Sequence, residues 1–224
     1  MEKTKLWYFD NLSVLSVLSK DEKKWVSEHS VMSAFKRKEL VYCAGDSSKS
    51  LYFLKEGKVK ISRYSDGGKE IILDILSPGH IFGELSLTGE QEHNEIAEVL
   101  EDALVCCISV SEMENIFRKN PAFNLSITKL IGLRLKKVQS RLEHLCFYNA
   151  EDRVKMFISE QMAEHGRRLP NGEVEIKLKL THEDIAKLTA TNRQKVTTVL
   201  SALEKERQIK YNRTRILVRE NATL

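Results

Sequence analysis

Residues Leu180–Ile209 read LTHEDIAKLTATNRQKVTTVLSALEKERQI. Two helical patterns are separated by only three small residues, Thr189, Ala190 and Thr191. Thr181 stands where an N-cap would precede a helix with Ile185 and Leu188 on its apolar face. Asn192 stands in the same place before a helix faced by Val196, Val199, Leu200 and Leu203. A linker of one turn has the proportion of a helix-turn-helix, in which the second helix enters the DNA major groove and its N-terminal residues reach base edges. The side chains at that end suit the role. Arg193 carries a planar fork that matches guanine O6 and N7, and Gln194 can both donate to and accept from adenine. Asn192, Lys195 and Thr198 are expected on phosphates, which fix register without reading sequence.

The flanks extend the pattern. IKYNRTRILV, after the second helix, reads as a two-stranded hairpin with Asn212 and Arg213 near its turn, so Arg213 and Arg215 would ride over the DNA backbone on a wing. Upstream, EVEIKLKL alternates Val174, Ile176, Leu178 and Leu180 with charges, the period of a half-buried strand. Charge placement agrees. From Glu151 onward 15 Lys/Arg stand against 11 Asp/Glu, which accounts for the entire net charge of +4, and from Ile185 to Arg219 nine basic residues face two acidic ones. Such a concentration on one module is an electrostatic footprint for phosphate.

The preceding segment is helical. Ile131, Leu135, Val138, Leu142 and Leu145 are spaced 4, 3, 4, 3, an a/d seam flanked by Arg134, Lys136, Lys137, Arg141 and Glu143. A helix from about Phe123 to Phe147 has more apolar seam than a small barrel can cover, so a homodimer through this seam is expected. Asn149 followed by Asp152 reads as a cap that starts a new helix, placing a boundary and a hinge at residues 148–150.

Before residue 110 the pattern is β. KDEKKWVSEHSVM (20–32) has helical spacing of Trp25, Val26 and Val31; short apolar runs cut by turn residues then follow at about ten-residue intervals from Glu39. Val59 and Ile61 alternate with Lys58, Lys60 and Ser62, and Gly57 and the Gly67, Gly68 pair are placed as hairpin turns. IAEVLEDALVCCIS is read as two final strands. The whole implies a small barrel over roughly residues 33–110.

Other classes are disfavoured. Neither a leader-like N-terminus nor a run of about 18 apolar residues is present, so a soluble, cytoplasmic protein with no membrane partner is expected. Cys43, Cys106, Cys107 and Cys146 form no CxxC pair or zinc spacing and are read as reduced thiols, Cys146 as a buried one. Glu84 and His93 could be imagined as an acid/base pair, but no nucleophile, phosphate-cradling loop or ligand set accompanies them, so no enzyme and no metal site is expected.

In its order of parts the chain resembles the family of the cyclic-AMP receptor protein and FNR. The resemblance runs from about residue 10 to residue 219 and is carried by Gly45 with Asp46, EGKVKI (56–61), FGELSL (82–87) and THEDIAKLTATNRQKVTTVL (181–200). It implies an α+β chain: an N-terminal cyclic-nucleotide-binding-type β-roll with flanking helices (1–122), a long dimerisation helix (123–148) and a C-terminal winged helix-turn-helix (149–224). It also implies transcription regulation on pseudo-palindromic double-stranded DNA, with RNA polymerase as a partner and the residues matching Arg193, Gln194 and Thr198 facing DNA. Ala190 departs from the family's usual turn Gly, so either an alanine holds positive φ there at some cost in energy or the turn is built slightly differently.

The same resemblance makes Gly83, Glu84, Leu85, Ser86, His93, Asn94, Val138 and Gln139 candidates for an effector pocket. In members that bind cyclic AMP, the Glu of FGEL, here Glu84, meets the ribose and backbone near Gly83 helps hold the phosphate. An Arg supplies the cation where this chain has His93, followed by Asn94 and Glu95, and hydroxyls stand where Val138 and Gln139 are. Loss of one charge-assisted hydrogen bond costs about 1.5–3 kcal/mol, so cyclic AMP is not the expected effector. No cofactor is required. A different cyclic nucleotide, haem on His80, His93 or a cysteine, a redox cross-link through Cys146, and the absence of any effector stay open. An iron–sulfur cluster is disfavoured, since no Cys precedes Cys43.

Overall fold

Ser19 starts the first helix in the computed structural model, which describes residues 15–212, 214–220 and 222. Its hydroxyl accepts from the Glu22 amide while the Glu22 carboxylate accepts from the Ser19 amide, a reciprocal capping box for α1 (Lys20–Glu28). Val31 does not belong to this helix. It opens β1 (Val31–Phe35) opposite Cys107 and is 67% exposed, because the helix ends at His29 and the side chain passes to the outer face of a sheet.

The first sheet contains β1, β2 (Leu40–Tyr42), β3 (Ser50–Tyr64), β4 (Glu70–Leu76), β5 (Ile81–Phe82) and β6 (Ile96–Ser109). Its order is β1-β6-β3-β4, with β2 also on β6 and β5 on β3. Two sequence expectations fail here for one reason. SLYFLK and KVKISRY form a single 15-residue strand, and IAEVLEDALVCCIS a single 14-residue strand. Glu56 pairs with Leu104 and Lys58 with Glu101, so Gly57 alone faces two residues, Asp102 and Ala103. That is a β-bulge; the strands bend without stopping, and Gly57 supplies the φ of +83° the bend needs. The Gly68 turn does form, at φ +74°, with the Ser65 and Lys69 backbones closing the β3–β4 hairpin.

Leu54, Val59, Ile61, Leu76, Phe82, Ala97, Val99 and Val105 fill the inside of this roll. Lys60, expected on the wet face, is buried as well, its Nζ 2.7 Å from both Glu70 and Glu98. Burial alone would lower its pKa, but the two carboxylates reverse that and hold it above the ordinary lysine value.

Three helices follow: α2 (Val110–Lys119), the long α3 (Pro121–Phe147) and α4 (Ala150–His165). The break falls at the expected residues, with the Asn149 side chain accepting from the Glu151 and Asp152 amides. The chain divides into two compact units, 1–137 and 138–224, whose boundary lies within α3.

In the second unit α5 (His182–Leu188) and α6 (Arg193–Lys205) lie against a four-stranded sheet of order β7 (Gly166–Arg168), β8 (Val174–Ile176), β10 (Ile216–Val218), β9 (Ile209–Tyr211). The β8 strand is shorter than EVEIKLKL, and β7 was not anticipated from GRR, which carries no apolar alternation. Val154, Ile158, Ile176, Ile185, Val196, Leu200, Leu203 and Ile216 make the core. None of the four cysteines forms a disulfide; Cys106 is buried, whereas Cys146, read from sequence as buried, is exposed in the single chain. Among the described residues no helix is long and apolar enough to cross a membrane.

Candidate functional site

Thr181 caps α5 by accepting from the Asp184 amide, while the Asp184 carboxylate accepts from the Thr181 amide and hydroxyl. Asn192 caps α6 by accepting from the Lys195 amide at 2.8 Å. Between them Ala190 adopts φ +50°, the left-handed conformation, the first of the two forms left open for that turn. Val196, Val199, Leu200 and Leu203 are buried, which turns Arg193, Gln194, Thr197, Thr198 and Ser201 outward together.

This outward face is polar and presents two unencumbered readers at its N-terminal end. Arg193 and Gln194 are exposed, and their backbone carbonyls accept from the Thr197 and Thr198 hydroxyls at 2.9 and 3.0 Å. Thr198 therefore spends its proton inside the helix and presents lone pairs outward. Lys195 is committed as well, its Nζ 3.1 Å from Glu151. The hydrogen bond from Lys195, with Lys155 adding to it, holds the Glu151 carboxyl below its ordinary value.

His182 lies with Nδ1 2.9 Å from the Thr197 hydroxyl, a contact that sequence reading missed. Burial first, and the charge of Arg193 second, lower its pKa, so at neutral pH it is the uncharged ring that supports Thr197. On the hairpin, Asn212 accepts from the Thr214 and Arg215 amides, shaping the wing's turn. Arg215 is exposed and reaches Glu175 at 3.2 Å. Arg213 lies outside the described residues.

The effector-pocket candidates of the first unit cluster around a short helical turn, Glu84–Thr88, opened by Gly83 at φ +73°. A Cβ on Gly83 would sit 2.7 Å from the Tyr52 ring. The Ser86 hydroxyl donates to the Gly83 carbonyl at 2.6 Å, and Leu85 is partly buried. Glu84 is ion-paired to Arg134, which also donates to the Ile81 carbonyl at 3.2 Å and stands 3.9 Å from Asp74. Lys137 lies 3.4 Å from the same Asp74. Arg134 had registered in the sequence only as a charge flanking the seam; nothing in a 50-residue separation signals its pairing with Glu84.

His93 is buried, 4% exposed, with its ring stacked on Tyr42 at a centroid distance of 3.8 Å. Burial lowers its pKa, against the opposing pull of Asp46 and Glu90, and leaves it neutral at pH 7. The Tyr42 hydroxyl donates to Glu95 at 2.7 Å. Burial, with the charge of Glu84 adding, pushes the Glu95 carboxyl up, while the Tyr42 bond, Arg134 and Arg63 pull it down. Asn94 is exposed and accepts from Arg63 at 2.5 Å. Val138 and Gln139 are exposed on α3. Along the same helix Ile131, Leu135, Val138, Leu142 and Leu145 are each between 42 and 60% exposed, far above what leucine-type side chains tolerate in a core.

Comparison with known proteins covers both units. Residues 32–120 match the family model of the cyclic nucleotide-binding domain, and residues 152–224 that of the Crp-like helix-turn-helix domain. The chain is 29% identical over 184 residues to the cyclic AMP receptor protein of Thermus thermophilus, with 82% of each chain covered. It is 26% identical over 196 residues to the global nitrogen regulator of a Nostoc species, with 87% of each covered. Among solved structures a CooA variant from Carboxydothermus hydrogenoformans superposes with a TM-score of 0.74 at 24% identity, over 87% of this chain and 85% of that one, a likeness of fold.

Proposed function

The chain belongs to the family of the cyclic-AMP receptor protein and FNR, a family of transcription regulators and not of enzymes, and from this premise we propose that it acts as a homodimer on pseudo-palindromic duplex DNA. The observation that carries the reading is the outward face of α6, with Arg193 and Gln194 exposed at its capped N-terminus above a fully apolar inner face. Arg193 is assigned to a base edge, with Gln194 beside it. Thr181, Asn192, Lys195, Thr198, Arg213 and Arg215 are assigned to the DNA backbone, with Lys195, Thr181 and Thr198 exchanging Glu151, Asp184 and the Gln194 carbonyl for phosphate. Two-fold symmetry through the α3 seam would set two such helices into successive major grooves, about 34 Å apart. On this reading residues 1–122, 123–148 and 149–224 serve as sensing, dimerising and DNA-reading parts.

The test is affinity for a duplex selected from a random pool by the full-length protein, titrated with salt. Phosphate contacts make log affinity fall linearly with log salt. Arg193→Ala should cost about 1–3 kcal/mol on the selected duplex and relax preference at one base pair. If the variant weakened every sequence equally, Arg193 would be a phosphate contact; if the wild type showed no salt-dependent DNA affinity, the whole reading would fall.

The effector is proposed not to be cyclic AMP. Where binders present a cation, His93 is buried and uncharged, and the Glu84 carboxylate is already taken by Arg134. Saturating cyclic AMP should therefore leave the thermal midpoint unchanged. A bound ligand at 100 times its dissociation constant would stabilise the fold by about 2.7 kcal/mol, so a clear upward shift would refute the assignment.

A further inference from the structure

Arg153 makes a contact that its sequence neighbourhood does not signal. It lies in the first turn of α4, and its guanidinium donates to three backbone carbonyls at once: Nη1 to Tyr148 at 2.8 Å, Nε to Thr189 at 2.9 Å and Nη2 to Ala190 at 3.0 Å. Tyr148 is the first residue after the long helix, whereas Thr189 and Ala190 form the turn between α5 and α6. Both groups of carbonyls are ones a helix cannot satisfy by itself. The last carbonyls of a helix lack an amide partner, and a left-handed non-glycine turn aims its carbonyls away from the ladder.

A rigid fork of donors suits this geometry, since three acceptors from two chain segments must be met within one plane. Lysine, with one point charge, could meet one of them well. The clamp also sits at the costliest backbone conformation of the motif, because Ala190 at φ +50° holds a shape that L-residues with a Cβ avoid. Thr189 is fixed from inside as well, its hydroxyl donating to the Ile185 carbonyl at 2.8 Å. The angle between α5 and α6 is thus set by a strained turn, and that turn is tied through one side chain to the exit of the long helix.

We propose that Arg153 is a positioning residue for DNA recognition. It fixes the Thr189, Ala190 turn, and through it the aim of Arg193 and Gln194, relative to the residue that leaves the long helix, without touching DNA itself. The inference rests on the reading of α6 as the recognition helix.

The experiment measures full-length wild type, Arg153→Ala, Arg153→Lys and the double variant Arg153→Ala with Ala190→Gly on the duplex selected by the wild type, across a salt series. Arg153→Ala and Arg153→Lys should each bind at least tenfold more weakly with an unchanged slope of log affinity against log salt. Ala190→Gly should recover a substantial part of the loss, because glycine holds the left-handed turn without the clamp. A slope reduced by about one would make Arg153 a phosphate contact and overturn the proposal. So would wild-type affinity in both single variants, or no recovery in the double variant. Should Arg153→Ala lose its cooperative unfolding transition, Arg153→Lys decides the matter by the same two readings. A wild type that binds no DNA would instead remove the function on which the inference stands, a failure visible before any variant is compared.

Discussion

Replacing Gly57 with valine is expected to remove a large share of the stability of the first unit. Gly57 holds φ +83° at the bulge, and a Cβ there would lie 2.6 Å from the Glu101 carbonyl oxygen and closer still to that of Asp102. Those obstacles are backbone of the paired strand, so they cannot swing aside as a side-chain tip would. Left-handed φ costs a non-glycine residue about 1–2 kcal/mol, and forced overpacking adds about 1–3 kcal/mol. Together that is a large share of the roughly 5–15 kcal/mol that holds a domain folded. Both tryptophans of the chain, Trp7 and Trp25, precede residue 137, and Trp25 packs on the first unit's core. Tryptophan fluorescence therefore follows that unit during thermal unfolding. A midpoint within two or three degrees of the wild type would show that the bulge can relocate, contrary to the account given.

Leu142→Asp combined with Leu135→Asp is expected to convert the proposed dimer, at twice 25.8 kDa, to a monomer in sedimentation. The two leucines are 60 and 57% exposed in the single chain, so aspartate there removes no intrachain core. What it would remove, in the proposed homodimer, is the burial of a continuous apolar stripe between two copies, replaced by four carboxylates along one seam. DNA affinity should follow, because two linked recognition helices on one duplex gain about 10²–10⁴ over either alone. Loss of both readouts with an unchanged unfolding midpoint is the expected pattern. A double variant that sediments as a stable dimer would exclude α3 as the interface.

The parts legible from the sequence are those whose signal is local. Asn149, Thr181 and Asn192 cap the helices they were read to cap, since a cap needs only a side chain and an amide two or three residues on. The outward face of α6 was legible because helical spacing puts Val196, Val199, Leu200 and Leu203 on one side. The positive φ of Ala190 was suggested by the resemblance alone, which puts a glycine at that turn; the spacing of its neighbours did not require it.

What escaped is non-local. Gly57 and Gly68 look alike in sequence, yet one bends a strand and the other ends it, a difference made by the partner strand from Glu101 to Leu104. Lys60 reads as solvent-facing until Glu70 and Glu98, ten and 38 positions away, close on it. The effector cup is the extreme case. FGEL could be located, but that its Glu84 would be claimed by Arg134 depends on how α3 returns over the roll within the first unit, which no spacing encodes.

Strand β6 pairs with β1, β2 and β3, with Phe35 set against Ala103 at one end of the β1 ladder. Every one of those partners is translated before it, and among the described residues β1 and β2 have no other partner in the sheet. While a ribosome adds about 5–20 residues per second, the emerging chain therefore waits several seconds with two strand edges unpaired and the apolar lining of the roll uncovered. Long-range pairing of this kind forms late. For this protein the vulnerable interval in the cell is the time between the synthesis of Phe35 and that of Ser109, and chaperone engagement or aggregation would be decided there, before the C-terminal helix-turn-helix part exists.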